Sequence, residues 1–310
     1  MDESDIKIIV SLILNSRLTY RELGNHLGLS LNAVYKRVQS LVNLGVIERF
    51  RAKINAYAIG AFYAFIFGKS QTKNMDKVIA ELKQNRNTAA ILLTSRNYIY
   101  IGAFLKDVHE LGDYSSFISK IADIQSPIVG LRDGTYYSCP VKFIYPRTKN
   151  PKIDKLDLSI IRAIHKDSRK PISEIADDIS TTPNTVRRRL SRLVSDGLIE
   201  LTLDVFLEDT ADLFTFLLIN LDPTADRTEI ATLISEKYQP YVMFCWTFSN
   251  LPNTVLCWIW TNTIKQLNDL IEKLKTDKIE SIETDIIRRG LFLDTWIDDL
   301  LYKENSEYFS

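Results

Sequence analysis

Four arginines, Arg187, Arg188, Arg189 and Arg192, crowd into a stretch that opens with Thr182-Pro183-Asn184-Thr185. A guanidinium presents a rigid fork of N–H donors that fits guanine O6/N7 or a phosphate, and Asn fits adenine in a similar way. A second basic group holds Asn32, Tyr35, Lys36 and Arg37, followed by Arg49, Arg51 and Lys53. Grouped on one helix face, such residues can read the edges of bases in a groove. Charge runs also occur on ordinary solvated helices, so the reading depends on the elements that carry them.

Those elements occur twice. Residues 5–48 align without a gap on residues 157–200, matching Asp5/Asp157, Ile8/Ile160, Ile9/Ile161, Ser16/Ser168, Arg17/Arg169 and Glu22/Glu174. The match continues through Asn32/Asn184, Val34/Val186, Arg37/Arg189, Leu41/Leu193, Val42/Val194, Gly45/Gly197, Ile47/Ile199 and Glu48/Glu200. Coincident polar, Gly and Arg positions point to an internal repeat rather than two unrelated amphipathic helices. Each copy opens with three helical patterns, and the third is sharply bounded. Ser30 and Thr182 are suited to cap it, Pro183 takes a first-turn position, and Gly45 and Gly197 end it.

Along that third helix Val34, Val38 and Leu41 share one face, as do Val186, Leu190 and Leu193. The opposite face carries Asn32, Tyr35, Lys36 and Gln39 in one copy, and Asn184, Thr185, Arg187, Arg188 and Arg192 in the other. Arg37 and Arg189 border the apolar face, so buttressing competes there with phosphate contact. A short wing strand is expected at 48–54, basic through Arg49, Arg51 and Lys53. Its counterpart is acidic through Glu200, Asp204 and Glu208. The candidate DNA-binding set is therefore Asn32, Tyr35, Lys36, Arg37, Arg49, Arg51, Asn184, Thr185, Arg187, Arg188, Arg189 and Arg192.

After each head the pattern alternates strand and helix. The first half predicts strands near 61–68, 88–94, 98–104 and 128–134, with helices at 75–84 and 108–122. The second predicts strands near 213–221, 241–248, 254–260 and 282–290, with helices at 228–237 and 264–274. Both read β-α-β-β-α-β, a ferredoxin-like unit. The fold class is thus α+β: two winged helix-turn-helix heads, each followed by a ferredoxin-like sheet domain. The expected domains are 1–54, 55–145, a Pro-bounded linker at 146–153, 154–208 and 209–310, the last with a helix at 293–301.

The hairpin 241–260 is dense in aromatics. Turning about Leu251, it sets Trp258 opposite Phe244, Leu256 opposite Trp246 and Cys257 opposite Cys245. Both of its faces are then apolar, yet helices cover only one face of such a sheet. The other face needs a partner, and the apolar strands of the first half fit it. Trp246, Trp258 and Trp260 are expected as core, and the cysteines as buried thiols.

Composition narrows the classes. The 39 Lys and Arg balance 39 Asp and Glu, so contact with a polyanion must come from local clusters. Three cysteines form neither a disulfide framework nor a metal-ligand spacing. The first residues lack a signal-peptide pattern, and the longest apolar run, 56–68, falls short of the ~20 residues a bilayer span needs. A cytoplasmic protein without cofactor or metal is expected.

The residues Asp5-Ile6 with Ile8-Ile9, Leu29-Ser30, Val34, Lys36-Arg37-Val38, Leu41 and Gly45-Val46-Ile47 resemble the Lrp/AsnC (leucine-responsive regulator) family. Residues 54–60 continue the likeness. Leu156-Asp157, Val186, Arg188-Arg189-Leu190, Leu193 and Gly197-Leu198-Ile199 repeat it, so the chain looks like two fused members. The resemblance implies an archaeal or bacterial transcription regulator that binds double-stranded DNA and pairs through its sheets. Family members sense amino acids near a hairpin that usually holds a Gly, then an Asp. Here Ser95, Arg96 and Asn97, or Ser249 and Asn250, stand in that hairpin. These are the candidate effector contacts, for an effector that is not a free amino acid. The fusion suggests an intramolecular pseudo-dimer, with a homodimer as the rival.

Two other readings share the pattern. Siroheme decarboxylases look like this family and also occur as fused pairs, but they carry a His- and Tyr-rich strand motif. Here only His26, His109 and His165 occur, all on predicted helices, and Arg96-Asn97-Tyr98 is a faint echo. An architectural chromatin protein would bind DNA with little sequence preference.

Overall fold

The computed structural model describes residues 1–141, 146, 153–206 and 210–303. Most of the expected linker (147–152), Glu208 and the tail beyond 303 lie outside the described residues. The first half runs α1 (Glu3–Leu14), α2 (Tyr20–Leu27), α3 (Leu31–Asn43) and β1 (Ile47–Ile54). A 3-10 turn at Ala56–Ile59 leads to β2 (Phe62–Lys69), α4 (Met75–Gln84), β3 (Thr88–Thr94), β4 (Tyr98–Leu105), α5 (Val108–Ile121) and β5 (Ile128–Tyr136). The second half repeats this as α6 (Lys155–Ile164), α7 (Ile172–Asp178), α8 (Pro183–Ser195), β6 (Ile199–Val205) and β7 (Leu213–Leu221). It ends with α9 (Arg227–Lys237), β8 (Val242–Phe248), β9 (Leu251–Thr261), α10 (Ile264–Leu274), β10 (Ile279–Phe292) and α11 (Trp296–Leu300).

These elements regroup into two compact units that cut across the linear repeat. One holds Met1–Ile6, Phe62–Ser138 and Leu207–Leu293, and so both sheets. The other holds Lys7–Ala61, Cys139–Phe206 and Asp294–Ser310, and so both heads. The C-terminal helix α11 falls in the head unit rather than with the second sheet, where the linear reading had placed it.

In the sheet unit the eight strands close into a barrel of order β10-β3-β4-β2-β5-β8-β9-β7. Each half supplies four strands. The register expected for the aromatic hairpin is present, with Phe244 opposite Trp258, Cys245 opposite Cys257 and Trp246 opposite Leu256. One face of each half packs on helices, through Leu217, Ile219, Val255 and Ile259 in one case and Ile66, Ile91, Ile99 and Ile101 in the other. The opposite faces meet inside the barrel. Phe65 lies 5.2 Å from Trp246, and Tyr100 sits 4.8 Å from Phe67 and 4.7 Å from Phe216 between ring centroids. Cys245 and Cys257 are free buried thiols with their sulfurs 2.9 Å apart, and burial pushes the Cys245 thiol up.

Packing two faces is not all that joins the halves. β10 extends past β7 to pair with β3, from Ile287↔Thr94 to Phe292↔Ala90, and β5 pairs with β8, from Arg132↔Phe248 to Tyr136↔Cys245. These two hydrogen-bonded seams close the barrel and leave none of its eight strands as an open edge. At the second seam, a Cβ on Gly130 would lie 2.6–2.9 Å from three atoms of the fully buried Phe248 ring. Gly130→Ala is expected to cost about 1–3 kcal/mol through overpacking, against the gain Ala usually brings in a strand. A urea midpoint equal to wild type would count against this close approach.

The head unit is built around a two-stranded antiparallel ribbon of β1 and β6. Its register includes Ile54↔Ile199, Phe50↔Leu203 and Ile47↔Val205. The expected wing strand is present as β1, and it pairs with the wing strand of the other head. The repeat also supplies a reciprocal clamp. Ser16 N donates to Leu201 O and Ser168 N to Phe50 O, both at 2.9 Å, while the two serine hydroxyls meet at 2.6 Å. Arg17 Nη1 donates to the carbonyls of Ser168 and Lys170. In return, Arg169 Nε and Nη2 donate to those of Ser16 and Leu18. Burial lowers the pKa of both arginines.

Candidate nucleic-acid interface

The two third helices, α3 and α8, start and stop as their sequences predict. Ser30 Oγ accepts from Ala33 N at 3.2 Å, and Thr182 Oγ1 accepts from Thr185 N at 3.2 Å. Gly45 and Gly197 follow with φ of 73° and 68°, a left-handed turn that glycine adopts without strain. Val34, Val38 and Leu41 are buried on α3, and Val186, Leu190 and Leu193 on α8. The same rotation about each axis is thereby set, so matched positions point outward in both heads.

On α3 the outward side chains are Leu31, Asn32, Tyr35 and Lys36. Tyr35 is 47% exposed, and its ring packs at 71° to Tyr20 with 5.6 Å between centroids. On α8 they are Asn184, Arg187 and Arg188. Arg187 Nη1 donates to Asn184 Oδ1 at 2.9 Å, which steadies both side chains on the exposed face. Thr185 is half-buried, and its hydroxyl lies 2.9 Å from that of Thr182 in the cap. Arg37 is half-buried at the border of the packed face.

Two expected contacts on α8 turn elsewhere. Arg189 Nη1 donates to Asp154 Oδ2 at 2.5 Å and to Asp157 Oδ1 at 3.0 Å, and these hydrogen bonds raise its pKa. Arg192 Nη2 donates to Asp157 Oδ2. Asp157 is 1% exposed and completes a capping box with Asp154 at the start of α6. So the inner arginines of α8 fasten it to α6 rather than facing outward. The charge run hid this, because Arg189 borders the packed face and Arg192, though one turn on from Arg188, is captured by Asp157 across the helix pair.

The wing arginines are the larger correction. Arg51 is 2% exposed and lies among carboxylates. Nη1 stands 3.2 Å from Asp204 Oδ2, and Nη2 stands 2.6 Å from Asp294 Oδ1 and 3.1 Å from Asp298 Oδ1. Nη2 also lies 3.4 Å from His165 Nε2, whose ring holds the Ala52 carbonyl through Nδ1 at 2.9 Å. Arg49 Nη2 pairs with Asp204 Oδ2 at 2.8 Å and keeps part of its surface in solvent. Arg51 is thus unavailable to DNA, because strand pairing turns its side chain into the unit. Asp204, opposite Arg49 and diagonal to Arg51 in the ribbon, is a counter-charge to both rather than a sign of an acidic wing. Sequence reasoning missed Asp157, Asp204 and Asp298 as anchors. The matched pairs Ser16/Ser168 and Arg17/Arg169 were the one available signal for the interface between heads.

The hairpin residues proposed as effector contacts lie at the barrel seams. Ser95 N donates to Ile286 O at 2.8 Å, and the Asn97 carbonyl accepts from Ser70 N at 2.9 Å. Arg96 Nε donates to Asp285 Oδ1 at 2.8 Å, and Tyr100 donates its hydroxyl to Asp285 Oδ2 at 2.7 Å. Burial, then that hydrogen bond, push the Tyr100 hydroxyl pKa up. At the other seam Asn250 accepts from Leu131 N and donates to Val129 O, both at 2.8 Å, while Ser249 N donates to Leu131 O at 2.9 Å. Each hairpin therefore grips a strand of the opposite half. No helix among the described residues is long and apolar enough to cross a membrane.

A family model for winged helix-turn-helix DNA-binding domains matches residues 1–48 and 153–200. An uncharacterized HTH-type transcriptional regulator of Pyrococcus furiosus is 32% identical over 136 residues, covering 43% of this chain and 88% of that protein. The HTH-type transcriptional regulator Ptr1 of Methanocaldococcus jannaschii is 31% identical over 116 residues, covering 37% of this chain and 78% of its own. Over nearly the full length, the chain is similar in fold to the siroheme decarboxylase NirDL. The TM-score is 0.60 at 13% identity, over 96% of this chain and 98% of that one.

Proposed function

Because the chain belongs to the HTH-type transcriptional regulators and carries two winged helix-turn-helix units, we propose that it is a fusion of two Lrp/AsnC-type units whose heads read one DNA duplex together as a self-contained pseudo-dimer. The observation that carries this is the β1–β6 ribbon with its reciprocal clamp, which joins two outward reading helices in one compact unit. In paired helix-turn-helix proteins the reading helices enter successive major grooves about 34 Å apart. Asn32, Tyr35 and Lys36 would face one half-site, and Asn184, Arg187 and Arg188 the other. Footprinting of the full chain should reveal two protected segments on one duplex face. Excess non-specific competitor DNA should leave them protected, whereas an architectural protein with little sequence preference would be stripped off.

We take the chain to be non-catalytic. The likeness to NirDL is one of fold, and the histidine-rich strand motif that the decarboxylases carry is missing from this sequence. His165, the histidine nearest to buried charge, is engaged by Ala52 and Arg51.

Barrel closure within one chain supports a monomer, since every strand edge of the barrel that could receive a second copy is already paired. Fusion also raises the effective concentration of one half for the other. Light scattering at micromolar concentration should return the mass of one chain, 35.6 kDa. Twice that mass would count against the self-contained form.

The filled hairpins favour no free amino-acid effector at the seams, because Arg96, Asn97 and Asn250 already hydrogen-bond protein. Millimolar leucine or other common amino acids should leave the melting temperature unchanged. A ligand at a hundred times its Kd would add about 2.7 kcal/mol, so a clear upward shift would refute this.

A further inference from the structure

Resting on the reading above, we infer that the two half-sites differ chiefly at one base pair, read by Arg187 in one head and by Tyr35 in the other. The heads are equivalent in everything that aims a side chain. They align without a gap, their caps match, and the same three apolar positions bury each helix. What differs is the outward face. Lys36 and Arg188 are both exposed cations, and Asn32 and Asn184 are identical. Ser40 and Arg192 differ, but Arg192 is bound to Asp157. Ala33 and Thr185 are half-buried, as is Gln39 where the other head has Ser191. Among the pairs exposed in both heads the contrast in chemistry is Tyr35 against Arg187, with the apolar Leu31 and Pro183 one turn earlier on the same faces.

Arg187 is already steadied by Asn184 at 2.9 Å. A guanidinium held in this way keeps other N–H groups for an acceptor pair, and guanine O6/N7 is the major-groove edge that offers one. Tyr35 has no such fork. Its ring is propped against Tyr20, and with Leu31, also 47% exposed, it forms an apolar patch along α3. That surface suits the thymine methyl, with the phenol oxygen free for at most a single-point hydrogen bond. The half-site under α8 therefore requires guanine at a position where the half-site under α3 does not. The operator of this chain is asymmetric by construction and fixes the direction in which the protein sits.

The test is selection of binding sites from randomised duplex DNA by the full chain, by R187Y and by Y35R. Each variant places on one helix the residue that its sister head carries at the same exposed position, and circular dichroism checks folding. Wild type should select two half-sites about 10 base pairs apart with guanine specified in only one. Replacing that guanine should weaken binding about 5- to 100-fold. R187Y should remove the guanine requirement, and Y35R should create one in the other half. A palindromic wild-type site overturns the inference. So do folded variants that change affinity for all sequences alike and leave the selected site unaltered, since Arg187 would then contact only phosphate. In both cases salt-dependent DNA binding would persist and the proposed function would stand. Failure of the wild-type chain to bind any duplex would overturn both.

Discussion

Replacing Arg51 with Met is expected to destabilise the protein by about 3–5 kcal/mol, the usual cost of removing one partner from a buried ion cluster. Arg51 stands between Asp204 on β6 and the pair Asp294 and Asp298 at the start of α11. Its loss leaves two carboxylates, Asp204 and Asp298, that are about nine-tenths buried or more, of which Asp204 keeps Arg49 at 2.8 Å. The cluster also ties the C-terminal helix α11 to β1 and β6 within the head unit, so protease sensitivity near α11 should rise. Arg49→Ala, at a side chain 40% exposed, should cost less than about 1 kcal/mol. Equal losses in the two variants, measured by urea unfolding, would defeat the argument.

The same cluster sets a pH dependence whose sign can be worked out. Burial alone would raise the Asp294 carboxyl, but the Arg51 guanidinium more than offsets it and holds the pKa below the ordinary value. A carboxylate depressed in this way stabilises the folded state above its unfolded pKa of about 3.9. That contribution disappears as pH falls through the lower folded value. Wild type should therefore lose stability on acidification below about pH 4 more steeply than Arg51→Met does.

Replacing Arg187 and Arg188 together with Ala is expected to have the largest effect on DNA binding. A lost base-edge contact costs about 1–3 kcal/mol, and a lost phosphate contact lowers the salt slope by about 0.9. Both side chains are exposed, and Arg187 hydrogen-bonds Asn184 on the same helix. Stability should therefore stay within about 0.5 kcal/mol of wild type. Arg189→Ala makes the informative contrast. It removes the bonds to Asp154 and Asp157, so it should lower the unfolding midpoint and leave the affinity of the folded protein less affected than the double variant does. A double variant with wild-type affinity and salt slope would mean that the second head does not read DNA.

Much of this molecule was decided by neighbours close in sequence. The capped third helices, the glycines that end them and the hairpin register at Cys245 and Cys257 all follow from residues a few positions apart. The gapless repeat went further, because a duplicated Gly, Arg and Asn pattern identifies two equivalent heads, and their outward faces could be listed from periodicity alone. An apolar face on the aromatic hairpin likewise demanded a second sheet to cover it. What periodicity could not supply was the destination of a charge. An arginine on a strand looks the same whether it faces DNA or three carboxylates, and the partners of Arg51 lie 153 and 247 residues away. The pairing of β1 with β6 turned Arg51 inward and joined two wings into one ribbon. The seams at β3–β10 and β5–β8 turned two facing sheets into a barrel. Both outcomes depend on which backbone edges remain unpaired once each half has folded, and on the cost of leaving buried N–H, C=O and carboxylate groups unmatched. Those terms act between distant segments, so tertiary structure determined which basic residues stayed on the reading face.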